Sequence, residues 1–216
     1  MNDLVAAEWL KLRTTRLLAG MIPAAVGVSG AAVAGTVLSA DSAALASTDV
    51  VRRTLAVTGA GAILVLVVGI IVAAGEHRHG TAADTFLTTP RRHRVLAAKL
   101  AVGAGLGAAA GAVIALTCVG LAGLLYGTRG ATFPLDDGEV WLTLAGPVVY
   151  SALFAVVGVA LGSLLRNQTL AVAGALAWFA VIEHTLVNLA PAIGRWLPAA
   201  AGEAIVRAPW TVSCHR

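Results

Sequence analysis

Five long apolar runs, 17–40, 55–75, 100–126, 141–165 and 169–193, alternate with short charged segments. Only the last contains an acidic or basic residue, Glu183. Each run exceeds the roughly 20 residues that a helix needs to cross the hydrocarbon core of a bilayer. None shows the apolar–polar alternation of a membrane barrel strand. In lipid the remaining way to satisfy the backbone is the helix. The pattern therefore predicts an all-α polytopic transmembrane helix bundle. One transmembrane domain covers 17–198 with five visible spans, preceded by an N-terminal segment (1–16) and followed by a tail (199–216).

The first run competes with a secretory signal. Lys11, Arg13 and Arg16 lead into it, and Ala44-Leu45-Ala46 resembles a cleavage site. An apolar core of about 7–15 residues is typical of such signals, and this run is longer, so it is expected to remain as a span. Ahead of it, Val5, Trp9 and Leu12 recur at helical spacing, with Glu8 and Lys11 off that face. This predicts a short amphipathic helix in the membrane interface. A simple basic anchor that fixes topology is the plainer reading and is compatible with it.

Composition agrees: 58 % of residues are hydrophobic and 12 % charged, against about 25 % charged in soluble proteins. The net charge of +4 does not imply a nucleic-acid partner, because the basic residues sit between the spans. With the N-terminus inside, nine basic residues face the cytoplasm (Lys11, Arg13, Arg16, Arg78, Arg91, Arg92, Arg94, Lys99, Arg166) and three face out (Arg52, Arg53, Arg129). That bias predicts a multi-pass plasma (inner) membrane protein with a cytoplasmic N-terminus. Cys118 lies in a span and Cys214 in the tail, so no disulfide framework is expected.

The cytoplasmic segment 76–99 is the longest polar stretch. Thr81 or Asp84 offers a helix cap, Phe86 and Leu87 an apolar face, and Pro90 a stop, followed by Arg91, Arg92 and Arg94. Two large apolar residues on a surface helix ask for a docking partner. The plainer reading is a basic loop reaching anionic lipid headgroups.

These elements occur in a particular order. Glu8-x-x-Lys11-Leu12-Arg13 precedes the first span. Glu76-x-Arg78-x-Gly80-Thr81, Leu87-x-x-Pro90-Arg91-Arg92 and Lys99 follow the second. Gly162-Ser163-Leu164-Leu165-Arg166-Asn167 leaves the fourth, and Glu183, Pro191 and Pro198 mark the fifth and its outer exit. Taken together they resemble the membrane subunits of type-2 ATP-binding-cassette (ABC) exporters, over most of residues 3–202. The resemblance implies a six-span permease working as a dimer with a second permease copy and driven by a separate ABC ATPase subunit. It also implies that Glu76, Arg78, Gly80, Thr81, Phe86, Leu87, Pro90 and Arg91 form the coupling contact with that ATPase, braced by the N-terminal helix. The sixth span is the departure: residues 199–216 carry Glu203, Arg207 and Pro209 and are too short to cross. A truncated chain or a natural five-span form is the expectation.

Other chemistry is poorly supported. Neither Lys11 nor Lys99 stands in a P-loop, so ATP hydrolysis belongs to a partner and no cofactor is expected in this chain. Glu76, His77, His79 and His93 are metal-ligand types, but the surrounding arginines oppose a cation and no zinc-binding helix motif is present. No catalytic residue is assigned. A membrane-embedded enzyme, or a non-transporting scaffold or immunity protein, is the alternative. Glu183 and His184 lie inside the fifth span, Glu183 about 22 Å along it, with Asn188 near one turn further. Such groups face a partner or a watery path, or bond to a neighbouring helix. Gly103, Gly107 and Gly111, and Gly158 with Gly162, repeat every four residues and predict close helix packing. Pro23 and Pro147 are positioned to kink the first and fourth spans.

Overall fold

The computed structural model describes residues 9–10, 17–45, 47–78, 92–134, 138–165, 167–182, 185–186 and 189. Every regular element among them is helical. In chain order these are α1 (Leu17–Ser39), a 3₁₀ turn (Ser42–Ala44), α2 (Thr48–Ala56), a second 3₁₀ turn (Val57–Gly61) and α3 (Ala62–Arg78). Then come α4 (Arg92–Thr128), α5 (Gly138–Leu164) and α6 (Gln168–Ala177), the last running into a π-helical turn (Trp178–Ile182). Four stretches are long and apolar enough to cross a membrane: Leu17–Ser39, Thr48–Gly75, Val95–Thr128 and Val140–Leu164. The molecule is an all-helical membrane bundle.

Helix α5 is the centre. Its face meets α3 on one side and α4 on the other, and these are the two most extensive helix pairs. Gly158 stands against Leu66 and Gly162 against Ile70, so α3 and α5 run parallel. Gly103 stands against Val159 and Gly111 against Ser151, so α4 and α5 run antiparallel. Helix α1 packs on α4 and, at least as extensively, on the second membrane helix with its 3₁₀ turn, and α6 packs on α3. Only 22 % of the best apolar window in α1 is buried, against 56 % in Thr48–Gly75. The first helix is therefore a peripheral, lipid-facing member and the second a core one.

Alternation of the helices gathers the connections at two ends. The Arg129 end holds the C-termini of α1 and α4 and the start of α2; the Lys99 end holds the C-termini of α3 and α5 and the start of α4. Beneath the Arg129 end lies the larger apolar cluster, with Val33, Val37, Leu45, Leu55, Ile114 and Tyr126 fully buried. Tyr126 meets Phe133 edge-on at 5.0 Å, an arrangement favoured by the ring quadrupoles.

Helix ends depart from the apolar boundaries for a common reason. Helix α4 starts at Arg92, ahead of the apolar run at 100, and α3 ends at Arg78, beyond 75. Residues such as Arg, Leu, Ala and Lys propagate a helix well in water, so the backbone continues past the point where hydropathy falls. Helix α1 continues through Pro23 and α5 through Pro147. The expected fifth span, 169–193, is helical over Gln168–Ile182 before its remainder passes largely outside the described residues.

Candidate functional site

Most of the expected coupling segment lies between α3 and α4. Glu76 and Arg78 occupy the last turn of α3, where only their backbone is described. Gly80, Thr81, Phe86, Leu87, Pro90 and Arg91 lie outside the described residues, as do Val5, Glu8 and Leu12 of the N-terminal segment. Trp9 and Leu10 are helical and exposed, at 45 % and 64 %. Glu183, His184 and Asn188 are likewise outside the described residues. Immediately before them the helix widens into the π turn Trp178–Ile182. Within it Phe179 packs 5.0 Å from Phe154 of α5, and Phe154 in turn lies 4.3 Å from Tyr150. Widened turns of this type leave a backbone carbonyl without its usual partner and recur at working positions of helices.

Both glycine repeats lie at the contacts of α5: Gly103, Gly107 and Gly111 on α4 face it, and Gly158 and Gly162 on α5 itself face α3. A Cβ at Gly107 would lie 2.7 Å from the Ser151 carbonyl oxygen, and one at Gly111 would lie 2.8 Å from the Ser151 Cβ. At Gly103 it would lie 2.8 Å from Val159 Cγ2. On the other face, a Cβ at Gly158 would strike the Leu66 carbonyl, and one at Gly162 would lie 2.5 Å from the Ile70 oxygen. Gly69 of α3 closes the same seam, with its would-be Cβ 2.7 Å from the Ala155 oxygen. Only glycine fits at these crossings. Because no hydrophobic drive separates helix from lipid, this close van der Waals approach is the main force that holds such helices together.

A second feature was not apparent from residue types alone. The membrane helix Thr48–Gly75 is interrupted by the 3₁₀ turn Val57–Gly61, and Ser29 of α1 inserts there. The Ser29 hydroxyl donates to the Thr58 carbonyl at 2.9 Å, and the Gly61 N–H donates to the Ser29 Oγ at 2.9 Å. Ser29 and Thr58 are both buried. Changing from α to 3₁₀ geometry removes regular i→i−4 partners, and one hydroxyl replaces two of them. Gly61 is required for this approach, since a Cβ there would lie 2.5 Å from the Ala25 carbonyl oxygen. The Thr58 hydroxyl donates to Leu55 O at 2.7 Å and the Thr54 hydroxyl to Val50 O at 2.8 Å. The stretch is thus satisfied within the protein, as lipid demands.

The Arg129 end is latched by its arginine. Arg129 Nη1 donates to the Val37 and Leu38 carbonyls at 2.8 and 3.2 Å, and Nη2 to the Ser42 Oγ at 3.0 Å. These are among the final, otherwise unpaired carbonyls of α1, and a cation is favoured at a helix C-terminus. The turn that aims Arg129 ends α4. Gly130 has φ +72°; its N–H donates to Gly127 O, and the Ala131 N–H donates to Tyr126 O. That pair of bonds is the Schellman arrangement, which glycine adopts without steric cost.

At the Lys99 end, the residues leaving α5 have structural duties. Gly162 is in the α3 seam, and the Asn167 side chain accepts from the Thr169 and Leu170 N–H groups at 3.0 and 3.2 Å. Asn167 is therefore the N-cap of α6, satisfying two of its orphan donors. Among the described residues no group of three His, Cys, Asp or Glu is placed to hold a metal. Cys118 is buried and free. No protein-family model, curated protein or solved structure matches the chain.

Proposed function

We propose that the chain is the membrane-spanning permease subunit of an ATP-driven ABC exporter, coupled through its 76–99 segment to a separate ATPase and paired with a second permease copy. On this reading the protein sits in the plasma membrane with its N-terminus and its Lys99 end in the cytoplasm, where the basic segments concentrate.

One observation supports the reading above the others. The two helices that flank the proposed coupling segment, α3 and α4, are each seated on α5 through glycine crossings. They pack far less on one another than either does on α5. A force applied between residues 78 and 92 would then reach the bundle through two stiff levers with a shared backing. Rigid shifts of packed helices are a common form of switching. The order of the Glu76, Gly80, Pro90 and Asn167 motifs adds the resemblance to exporter permeases. The chain supplies no P-loop of its own, which fits a nucleotide-hydrolysing partner.

The test is co-purification of the tagged chain with an ABC ATPase encoded beside it, followed by the double substitution Phe86→Ala with Leu87→Ala. The expected result is loss of the complex and of permease-stimulated ATP hydrolysis, with the chain still in the membrane fraction. Unchanged complex formation and stimulation would refute the coupling role.

A further inference from the structure

Helix α1 divides into two unlike halves. From Ala25 onward it presents a narrow buried strip to the bundle, made of Ala25, Ser29, Val33 and Val37. Ser29 clasps the 3₁₀ turn of the second membrane helix. A Cβ at Gly30 would lie 3.3 Å from Leu121 of α4, and Arg129 holds the Val37 and Leu38 carbonyls. Residues 17–24 include no buried residue. Ala19, Gly20, Pro23 and Ala24 are exposed, and the other four are half-buried. Of those, Leu18 and Met21 cover Val68 of α3 and Val102 and Leu106 of α4. The cover fits loosely: an apolar gap of about 10 Å³ lies beneath Leu18, Met21 and Ile22. Side chains that line a void lose dispersion contacts on that side.

The boundary between the halves is built to bend. Pro23 stands two residues before the buried strip begins. It has no N–H, so the Ala19 carbonyl lacks its usual partner, and the ring crowds that same carbonyl. Sharp helix bends concentrate at such positions. Gly20 and Gly27 flank the proline, and neither would bring a Cβ within 4 Å of a neighbour. They therefore serve no close approach, and glycine favours the helix less than alanine does. In water, lifting Leu18 and Met21 would be opposed by the exposure of apolar surface. In a bilayer, lipid tails take their place, so no hydrophobic force holds this half down.

We propose that residues 17–24 form a lid that swings at Pro23 while the rest of α1 stays clasped. It opens and closes lateral access from the leaflet at the Lys99 end to the apolar wall of Val68, Val102 and Leu106. The arm from Ala25 to Leu17 is about 12 Å long. A bend of about 20° carries its free end about 4 Å. The lid belongs to one subunit, so its motion does not rest on the exporter reading and can fail or succeed separately.

The test is pulsed electron–electron double resonance on the full chain in lipid nanodiscs, with Cys118→Ser and Cys214→Ser as the background. Spin labels at Ala19→Cys and Ala101→Cys report the lid, and labels at Ala31→Cys and Leu124→Cys report the clasped half; all four positions are exposed. Ala19 lies about 9 Å from the end of the joint, so the lid pair is expected to be broader than the clasped pair by about 3 Å for a bend of about 20°. Pro23→Ala restores the missing N–H and is expected to narrow the lid pair to the width of the clasped pair. The proposal is overturned if the lid pair is already as narrow as the clasped pair, or if Pro23→Ala leaves it as broad as before.

Discussion

Replacing Gly162 by alanine isolates the physical interaction on which the bundle depends. The added Cβ would lie 2.5 Å from the Ile70 carbonyl oxygen, and 3.0 Å from both Ile70 Cα and Ala73 Cβ. A comfortable carbon-to-oxygen approach is about 3.3–3.6 Å, so α3 and α5 must separate locally by about 1 Å. A gap of about 0.5–1 Å already forfeits a quarter to a half of each dispersion contact. Overpacking of this kind costs about 1–3 kcal/mol. The helix propensity of alanine over glycine returns about 1 kcal/mol, leaving a net loss of up to about 2 kcal/mol, and about 1–3 kcal/mol relative to an alanine that meets no neighbour. Gly105 of α4 has nothing within 4 Å of a Cβ position, and Gly105→Ala is the control, expected to be neutral or slightly stabilising. Reversible unfolding by SDS in mixed micelles, followed by tryptophan fluorescence and far-ultraviolet circular dichroism, measures both variants. If Gly162→Ala were as benign as Gly105→Ala, close backbone approach would not be what holds α3 to α5.

Two further substitutions test the other structural devices. Ser29→Ala strands the Gly61 N–H and the Thr58 carbonyl inside the bundle. A membrane hydrogen bond is worth about 0.6 kcal/mol on average and up to about 1.7, so exchange of the Gly61 amide, followed by hydrogen–deuterium mass spectrometry, should accelerate several-fold; unaltered exchange would mean that Ser29 does not hold the 3₁₀ turn. Arg129→Gln removes the guanidinium bonds to Val37, Leu38 and Ser42. An exposed polar latch is worth about 0.5–1 kcal/mol, and Arg129→Lys should recover only the part due to charge, since lysine lacks the fork; equal melting temperatures for all three proteins would remove the latch from the account.

Hydropathy located the four long membrane helices, because each is a run of side chains that water rejects. It did not place their ends. The helix beginning at Arg92 continues through residues that are polar yet strong helix formers, and only the backbone hydrogen-bond pattern marks where it starts. The 3₁₀ turn in the second membrane helix was hidden for a similar reason: Val57–Gly61 is as apolar as its surroundings, and its geometry is fixed by a serine 32 residues away from Gly61 in the chain. Glycine spacing pointed to close packing, but which partner each stripe meets needed the fold. Arg129 read as a topology charge; its bond to Val37 joins positions 92 residues apart, which no local pattern encodes. Asn167 closes the segment that leaves the fourth span, and its capping bonds to Thr169 and Leu170 give that position a physical role. The acidic and imidazole pair Glu183 and His184, singled out from the sequence, falls just beyond the π turn and outside the described residues.

The central claim, a membrane bundle worked from its Lys99 end by an ATPase in the cytoplasm, is tested most directly by where residue 81 lies. In a chain carrying Cys118→Ser and Cys214→Ser, Thr81→Cys and Ser47→Cys are each treated with a membrane-impermeant maleimide on intact cells. The account predicts that Ser47→Cys is labelled at once and Thr81→Cys only after the membrane is opened. Labelling of Thr81→Cys from outside would put the proposed coupling segment beyond the reach of any cytoplasmic motor.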